Sequence, residues 1–346
     1  MQRAPIDSKI SFVIPTLNSG KTLEACLLSI LSQRMARSSY EIVMADAGST
    51  DSTLEIARRM GVDVIVGNPL KTGEAGKTAG IKASSCELIA LVDSDNILQD
   101  ETWLEQMVAP FADADIVAAE PIAYTVRADD PALTRYFALL GMNDPLCLFT
   151  GNYDRQCAVT GKWTGLDVHQ QDMGGFLKLM LTEEALPTIG ANGFVFRRSL
   201  LSHVTWDPYF FDIDVMHQAV RQGFRAVAKV KTGIVHLYCA RLEDFAKKQR
   251  RRIRDFLFFS QEKQRTYPWD KQRKTGIILF ALATATVLPV AVQAAIGFLR
   301  RPDRAWLYHV PVCWITFWTY GVGTMRKLLG FKQAPVARDG WQKTNP

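Results

Sequence analysis

No two cysteines in this 346-residue sequence form a C-x-x-C pair, and none has the spacing of a zinc site. The six, Cys26, Cys86, Cys147, Cys157, Cys239 and Cys313, lie scattered in apolar or loop contexts, as free thiols of a reducing compartment do. Residues 1–9 lack an apolar run, which predicts no signal peptide and a catalytic part that begins in the cytosol. Internal repeats and low-complexity tracts are missing as well. At 48% hydrophobic and 22% charged, the composition excludes disordered and collagen-like chains. Acidic residues fall short of basic ones, 35 against 41, for a formal charge of +6. That balance points to an anionic partner: nucleic acid, a phosphorylated ligand or an anionic membrane surface. The mean hydropathy of −0.01 averages a polar N-terminal part with an apolar C-terminal one.

Short apolar strands and helical periods alternate over the first ninety or so residues. Strands are predicted at 10–14, 41–45, 62–66 and 88–92, with helices over 22–32, 51–60 and 75–83 between them. This pattern predicts an open, mostly parallel α/β sheet flanked by helices, whose ligands gather at the carboxyl ends of the strands. Further strands are expected at 116–119 and 225–230, a turn at 190–193, and a helix over 212–222. The stretch 141–175 is rich in Gly, Asp, Asn and Gln and declares no element.

Four clusters of residues can carry chemistry. Asp93-Ser94-Asp95 follows an uninterrupted apolar strand, where two carboxylates can share one hard cation bridging to phosphate oxygens; the alternative is a solvated turn. Asp46, Gly48, Ser49 and Asp51 form a turn in which Asp46 can accept from a base or ribose and Asp51 can cap the next helix. Gly76-Lys77-Thr78 suggests a phosphate loop, but the required glycine at position 71 is Lys, so Lys77 is kept only as a phosphate or base contact. Asp212 and Asp214 open a helix, whose dipole is expected to keep a carboxylate ionised and fit to act as a general base, or simply as a cap. His236 ends the polar part, either as a third metal ligand or as a buried histidine.

Beyond residue 240 the character changes. Leu242, Phe245, Ile253, Phe256 and Leu257 share a helical face, and Lys247, Lys248, Arg250, Arg251, Arg252 and Arg254 form a dense basic cluster. Such a helix suits an anionic membrane surface, or the flank of a domain. Residues 275–299 carry no charge and are long enough to cross a bilayer core of about 30 Å, with Pro289 expected to kink them. Residues 306–323 form a second uncharged stretch rich in Trp and Tyr. Two crossings would leave Arg300, Arg301 and Arg304 outside, against the positive-inside tendency, whereas a re-entrant hairpin keeps them inside.

Taken as an ordered set, Pro15, Thr16 and Asn18, then Asp46 to Asp51, Lys77 and Gly80, Asp93-Ser94-Asp95, and Asp212-Ile213-Asp214 resemble family 2 glycosyltransferases of the GT-A fold. Ala47 stands where that family often has a second Asp, Lys77-Thr78 where it often has Arg-Asn, and Phe211-Asp212 where it usually has Glu-Asp. Gln249 and Arg252 are similar to the Q-x-x-R part of the Q-x-x-R-W motif of membrane synthases, with Ile253 in place of Trp. The resemblance implies a GT-A domain over 1–240, a basic interfacial region over 241–273, a membrane helical hairpin over 274–324 and a polar tail over 325–346. It implies an inverting glycosyltransferase at the cytoplasmic face of the cell membrane. A nucleotide-diphosphate sugar would be held by Pro15, Thr16, Asn18, Asp46, Gly48, Ser49, Lys77 and Asp93. Mg²⁺ or Mn²⁺ would sit on Asp95, Asp93 and His236. Asp212, with Asp214 as rival, would be the base. Gly190, Asn192, Gly193, Gln249 and Arg252 would lie on the acceptor or diphosphate side.

The acceptor implied is lipid-linked or another glycan, with membrane lipids as partners and no nucleic acid. A polyprenyl phosphate acceptor would be its own nucleophile and would need no base. Two other classes remain at the level of sequence: a sugar-nucleotide pyrophosphorylase, which wants a Gly-rich loop after the first strand that residues 15–20 lack, and a non-catalytic membrane adaptor.

Overall fold

The computed structural model describes residues 9–261, 265–268 and 274–330. In chain order the elements are β1 (Ile10–Thr16), α1 (Leu23–Leu31), β2 (Tyr40–Asp46), α2 (Thr53–Arg59), β3 (Val64–Gly67), α3 (Gly73–Ala83), β4 (Leu88–Leu91), β5 (Asn96–Leu98), α4 (Trp103–Val108), β6 (Ala118–Tyr124), α5 (Ala132–Leu140), α6 (Leu146–Thr150), β7 (His169–Asp172), β8 (Phe176–Met180), β9 (Phe194–Arg197), α7 (Asp212–Arg221), β10 (Ala226–His236), α8 (Leu242–Gln261), α9 (Lys274–Thr286), α10 (Leu288–Arg300) and α11 (His309–Leu328). Contacts divide the chain into two units. One comprises the residues up to Thr125 with Leu166–His236, the other Val126–Gly165 with the chain from Leu237 onward. The expected single domain over 1–240 is therefore divided differently, because segment 126–165 packs with the C-terminal residues.

The first unit is built on one sheet in the order β3-β2-β1-β4-β9-β6-β10-β8-β7, with β5 added against β10. The first four strands are parallel, as the alternation predicts. β1 and β4 are buried on both faces, which is why they read as unbroken apolar runs rather than alternating ones. Beyond β4 the sheet becomes mixed: β9 enters antiparallel between β4 and β6, and β8 runs antiparallel to β10. The strand expected at 225–230 extends to His236. Register places Thr16 beside Asp46, so the loops leaving β1 and β2 start level with each other.

Helix α3 lies unusually close to β1. A Cβ on Gly76 would come within 2.8 Å of Pro15 Cβ, and one on Gly80 within 2.5 Å of Val13 Cγ1. The two glycines stand one helical turn apart and open a flat track for the strand. Thr72 caps this helix by accepting from the Ala75 amide at 3.0 Å.

In the second unit, Leu133, Tyr136, Phe137 and Leu140 of α5 pack with Tyr238, Phe245, Trp306 and Val312. The expected apolar face of α8 is present, with Phe245 and Leu257 buried. The uncharged stretch 275–299 is not one helix. It forms α9 and α10, bent by 93° at a break marked by Val287, whose φ is 63°. Pro289 sits in the first turn of α10 rather than in the middle of a helix, where its ring would clash with the carbonyl four residues back. No described helix is by itself long and apolar enough to cross a membrane, and only the bent pair meets that test together. Much of the expected polar tail, 331–346, lies outside the described residues, and α11 runs on to Leu328.

At the centre of the first unit, Lys229 of β10 meets Glu120 of β6 at 2.5 Å, both wholly buried. Replacing Lys229 by Met removes that counter-charge and is expected to cost about 3–5 kcal/mol of unfolding free energy. The double change Lys229→Met, Glu120→Leu should recover most of the loss. Denaturant titration of the two variants checks this, and an undisturbed single variant would contradict it.

Candidate active site

The loops after β1 and β2 are fastened to each other. Asp46 accepts four hydrogen bonds: Thr16 Oγ1 at 3.0 Å, Ser49 Oγ at 2.6 Å, and the amides of Gly48 and Ser49 at 2.9 and 2.8 Å. Gly48, at φ 89°, turns the chain so that its amide faces back. Asn18 takes the Thr50 amide on its Oδ1 at 2.9 Å, and its own amide donates to Ser49 Oγ at 2.8 Å. Asp51 accepts from the Gly20 amide at 3.0 Å and from the Thr53 amide at 3.0 Å. Asn18, Asp46 and Ser49, expected as ligand contacts, thus spend these polar atoms on the shape of the strand-end rim. Pro15 takes part through its packing on Gly76.

Asp93 and Asp95 leave the end of β4 half-buried. Their turn is held by the Asp93 amide donating to Asn96 Oδ1 at 3.0 Å, and Ser94 Oγ lies 2.8 Å from Ser19 Oγ. Asp95 Oδ1 stands 3.6 Å from His236 Nε2, because antiparallel pairing sets Asn96 opposite His236. The ring of Tyr124 lies against His236, 5.5 Å between centroids. The structure therefore brings Asp95 to a histidine that lies 141 residues further along the sequence. Among the described residues no three His, Cys, Asp or Glu side chains converge as a ready-made metal cage.

Lys77 projects from α3 to Asp212 at the start of α7, with Nζ 2.6 and 2.8 Å from the two carboxylate oxygens. Burial pushes the Asp212 carboxyl up to about 7; Asp93 and Glu74 add to the rise and Lys77 opposes it. Burial pushes the Lys77 ammonium the other way, but the charges of Asp212, Asp93 and Glu74 prevail and hold it above the ordinary lysine value. Burial thus works against the ionisation that the helix dipole is expected to favour, and the Lys77 ammonium works for it. Asp214 is almost entirely buried, at 3% exposure, while the Asp212 side chain keeps 20%. That difference favours Asp212 as the group that meets a ligand.

The turn at 190–193 forms as expected, with positive φ at Gly190, Asn192 and Gly193. A Cβ on Gly190 would stand 2.5 Å from Asp212 Cβ, so this glycine is what lets the loop back directly onto the aspartate. Its amide faces Glu120 Oε2 at 3.4 Å. Asn192 bridges Asn96 and Tyr124, at 3.0 Å each, and so braces the histidine side of the site. Gly193 leaves room for Trp103 and Ile234. Gln249 and Arg252 belong to the second unit. There Gln249 donates to Thr316 Oγ1 at 2.9 Å, and Arg252 donates to Gln249 Oε1 at 2.6 Å and Asp144 Oδ2 at 3.2 Å. Their visible work is to tie α8 to α11 and to the turn at Asp144. Sequence reasoning missed Tyr124, Asn96 and the Glu120–Lys229 pair. The last left a trace, since Glu120 is the single charge of β6 and Lys229 interrupts an apolar run in β10.

Titration of isotope-labelled aspartate, assigned with Asp212→Asn, should show the Asp212 carboxyl changing protonation near pH 7. Lys77→Met should move that midpoint upward, because the opposing positive charge is gone. A midpoint in the ordinary carboxylate range, or one indifferent to Lys77, would show the enclosure to be otherwise.

Residues 11–204 match the family described as glycosyl transferase family 2, more than half of the chain. Glycosyltransferase AglE of Haloferax volcanii is 28% identical over 140 residues, 38% of this chain and 45% of that protein. A poly(ribitol-phosphate) beta-glucosyltransferase of Bacillus spizizenii is 35% identical over 102 residues, 28% of this chain and 16% of that protein. The chain thus spans less than half the length of these curated relatives. A mannosyltransferase of Pyrobaculum calidifontis, solved with GDP-Man and Mn²⁺, superposes with a TM-score of 0.54 at 16% identity, over 96% of this chain and 91% of that one. At that identity the likeness concerns the fold. By its sequence match, and with a strand-end site laid out on a sheet of this kind, the chain belongs to glycosyl transferase family 2.

Proposed function

We propose that this protein is an inverting glycosyltransferase that moves a sugar from a nucleotide-diphosphate donor to a lipid-linked acceptor at the cytoplasmic face of the cell membrane. The observation that carries the reading is the enclosed Asp212, held by Lys77 and electrostatically coupled to Asp93 of the D-x-D turn. Asp93, Asp95 and His236 suit a hard divalent ion that takes its remaining ligands from water and phosphate oxygens, since they offer a half-set rather than a cage. Mg²⁺ or Mn²⁺, when bound there, supplies positive charge to the departing diphosphate. The nucleoside would lie over the Thr16–Asp46 rim.

Lys77 can turn its ammonium from Asp212 to the diphosphate, which frees the carboxylate. Asp212 then takes the proton of the acceptor hydroxyl as its oxygen attacks the anomeric carbon on the face opposite the leaving group. A bond to the acceptor oxygen forms as the bond to the diphosphate oxygen breaks, and the sugar inverts. Gly190 sets the height of Asp212 in this site.

The membrane part of the proposal rests on the second unit. Lys247, Arg250, Arg251 and Arg254 recur at helical spacing, and Lys247, Arg250 and Arg254 are exposed. Each basic side chain near an anionic bilayer contributes about 1 kcal/mol of attraction. Lys248, by contrast, donates to the Tyr238 carbonyl and sits over the Tyr238 ring, so not all of the basic cluster faces outward. Ile278, Leu282, Leu288 and Leu299 add large exposed apolar surfaces.

A screen of nucleotide-sugar donors with detergent-solubilised protein and Mn²⁺ tests the activity, with nucleotide release as readout. Asp212→Asn should lower turnover by roughly 10²–10⁴-fold. Asp95→Ala should lower it and raise the metal concentration needed. In the parent, kcat/KM should fall as pH drops through about 7, because the base is then protonated. Transfer that survives both substitutions would refute the mechanism. A profile flat across neutrality would instead favour a lipid phosphate acting as its own nucleophile.

A further inference from the structure

Helices α9 and α10 present a long apolar surface with an unusual outline. Each has 13 residues, so each limb is about 20 Å long, well short of a bilayer core of about 30 Å. With a 93° bend, the vertex lies about 14 Å from the line joining the two ends, close to the depth of a single leaflet. Residues 285–289 at the vertex are all exposed, and none is charged. Leu288 alone is 70% exposed. The charges stand at the ends: Lys274 opens α9, and Arg300, Arg301 and Arg304 follow the apolar part of α10.

Both ends are fastened to one short part of the same unit. At the start of α9, Gly276 presses on the backbone of Phe149 and Thr150, where a Cβ would stand 2.6 Å from the Phe149 carbonyl oxygen. At the end of α10, Arg300 Nη1 donates to the carbonyls of Ala158 and Val159 at 3.3 and 2.6 Å. Leu148, Ala158 and Val159 pack against a single core cluster. Just beyond, Asp303 is gripped by Arg135 at 2.8 and 3.0 Å. A crossing would have to pull these two anchorages to opposite faces of a bilayer.

We propose that the α9–α10 pair is a re-entrant wedge. It inserts its vertex at 285–289 into one leaflet and returns to the face it entered from, with anionic headgroups over Lys274 and Arg300–Arg304. The inference rests on the membrane reading above and commits to lipid as the occupant. Acyl chains match the uncharged vertex, and anionic headgroups match the basic ends. It also explains why three arginines can stand next to the apolar stretch without violating the positive-inside tendency.

The test uses the full chain in sealed vesicles of both orientations and a membrane-impermeant maleimide. The parent is the control, since its cysteines are buried apart from the half-buried Cys147. Lys274→Cys and Arg301→Cys, both at exposed positions, should label in the same vesicle orientation and at least tenfold less in the other. Leu288→Cys should label in neither. Labelling of the two ends from opposite orientations would overturn the wedge in favour of a crossing. Labelling of Leu288→Cys from the water phase would overturn insertion while leaving surface binding intact. Failure of the parent to float with vesicles would overturn the membrane reading itself, and is read before any label is added.

Discussion

Helix α3 can lie against β1 only because positions 76 and 80 carry no side chain. That close approach governs the first unit's chemistry. With the helix pressed onto the strand, Lys77, between the two glycines, emerges at the strand-end rim and reaches Asp212. The same glycine that suggests a phosphate loop in the sequence serves here as a contact surface for Pro15. A side chain at either position would lift the helix, and the ion pair would open with it.

Around that pair, most of the site's polar atoms hold one another. Asp46 is occupied by Thr16, Gly48 and Ser49, and Asn192 joins Asn96 to Tyr124. Hydrogen bonds of this kind fix the positions of the rim's polar atoms, the arrangement from which preorganised sites keep reorganisation small. Asp93, Asp95, Lys77 and Asp212 keep an excess of charge in a confined space. The carboxylates of Asp93 and Asp212 raise each other's electrostatic cost, Lys77 offsets part of it, and a bound cation would relieve more.

The alternation of strands and helices up to Val92 was legible because parallel pairing with short loops leaves local traces: apolar runs, caps and glycine turns. The same holds for the D-x-D turn and for the aspartates that open α7. What could not be read depended on distant neighbours. The upward push on the Asp212 carboxyl comes from burial, and the pull against it from a lysine 135 residues away. Gln249 and Arg252 matched a motif, yet their contacts lie with Thr316 and Asp144. The segment 141–175 declared no element because several of its anchors come from residues beyond 237. The break at Val287 had only Pro289 as a sign, two positions away.

The interleaving of the two units has a consequence for how the chain is made. Tyr136 and Phe137 leave the ribosome early, but their partners Phe245 and Trp306 follow more than a hundred residues later. At about 5–20 residues per second, the apolar face of α5 waits on the order of ten seconds before it can be covered. During that interval the first unit can complete its sheet, since β10 is synthesised before α8. The order of synthesis therefore gives the first unit a head start, and leaves α5 as the surface that a chaperone would meet first.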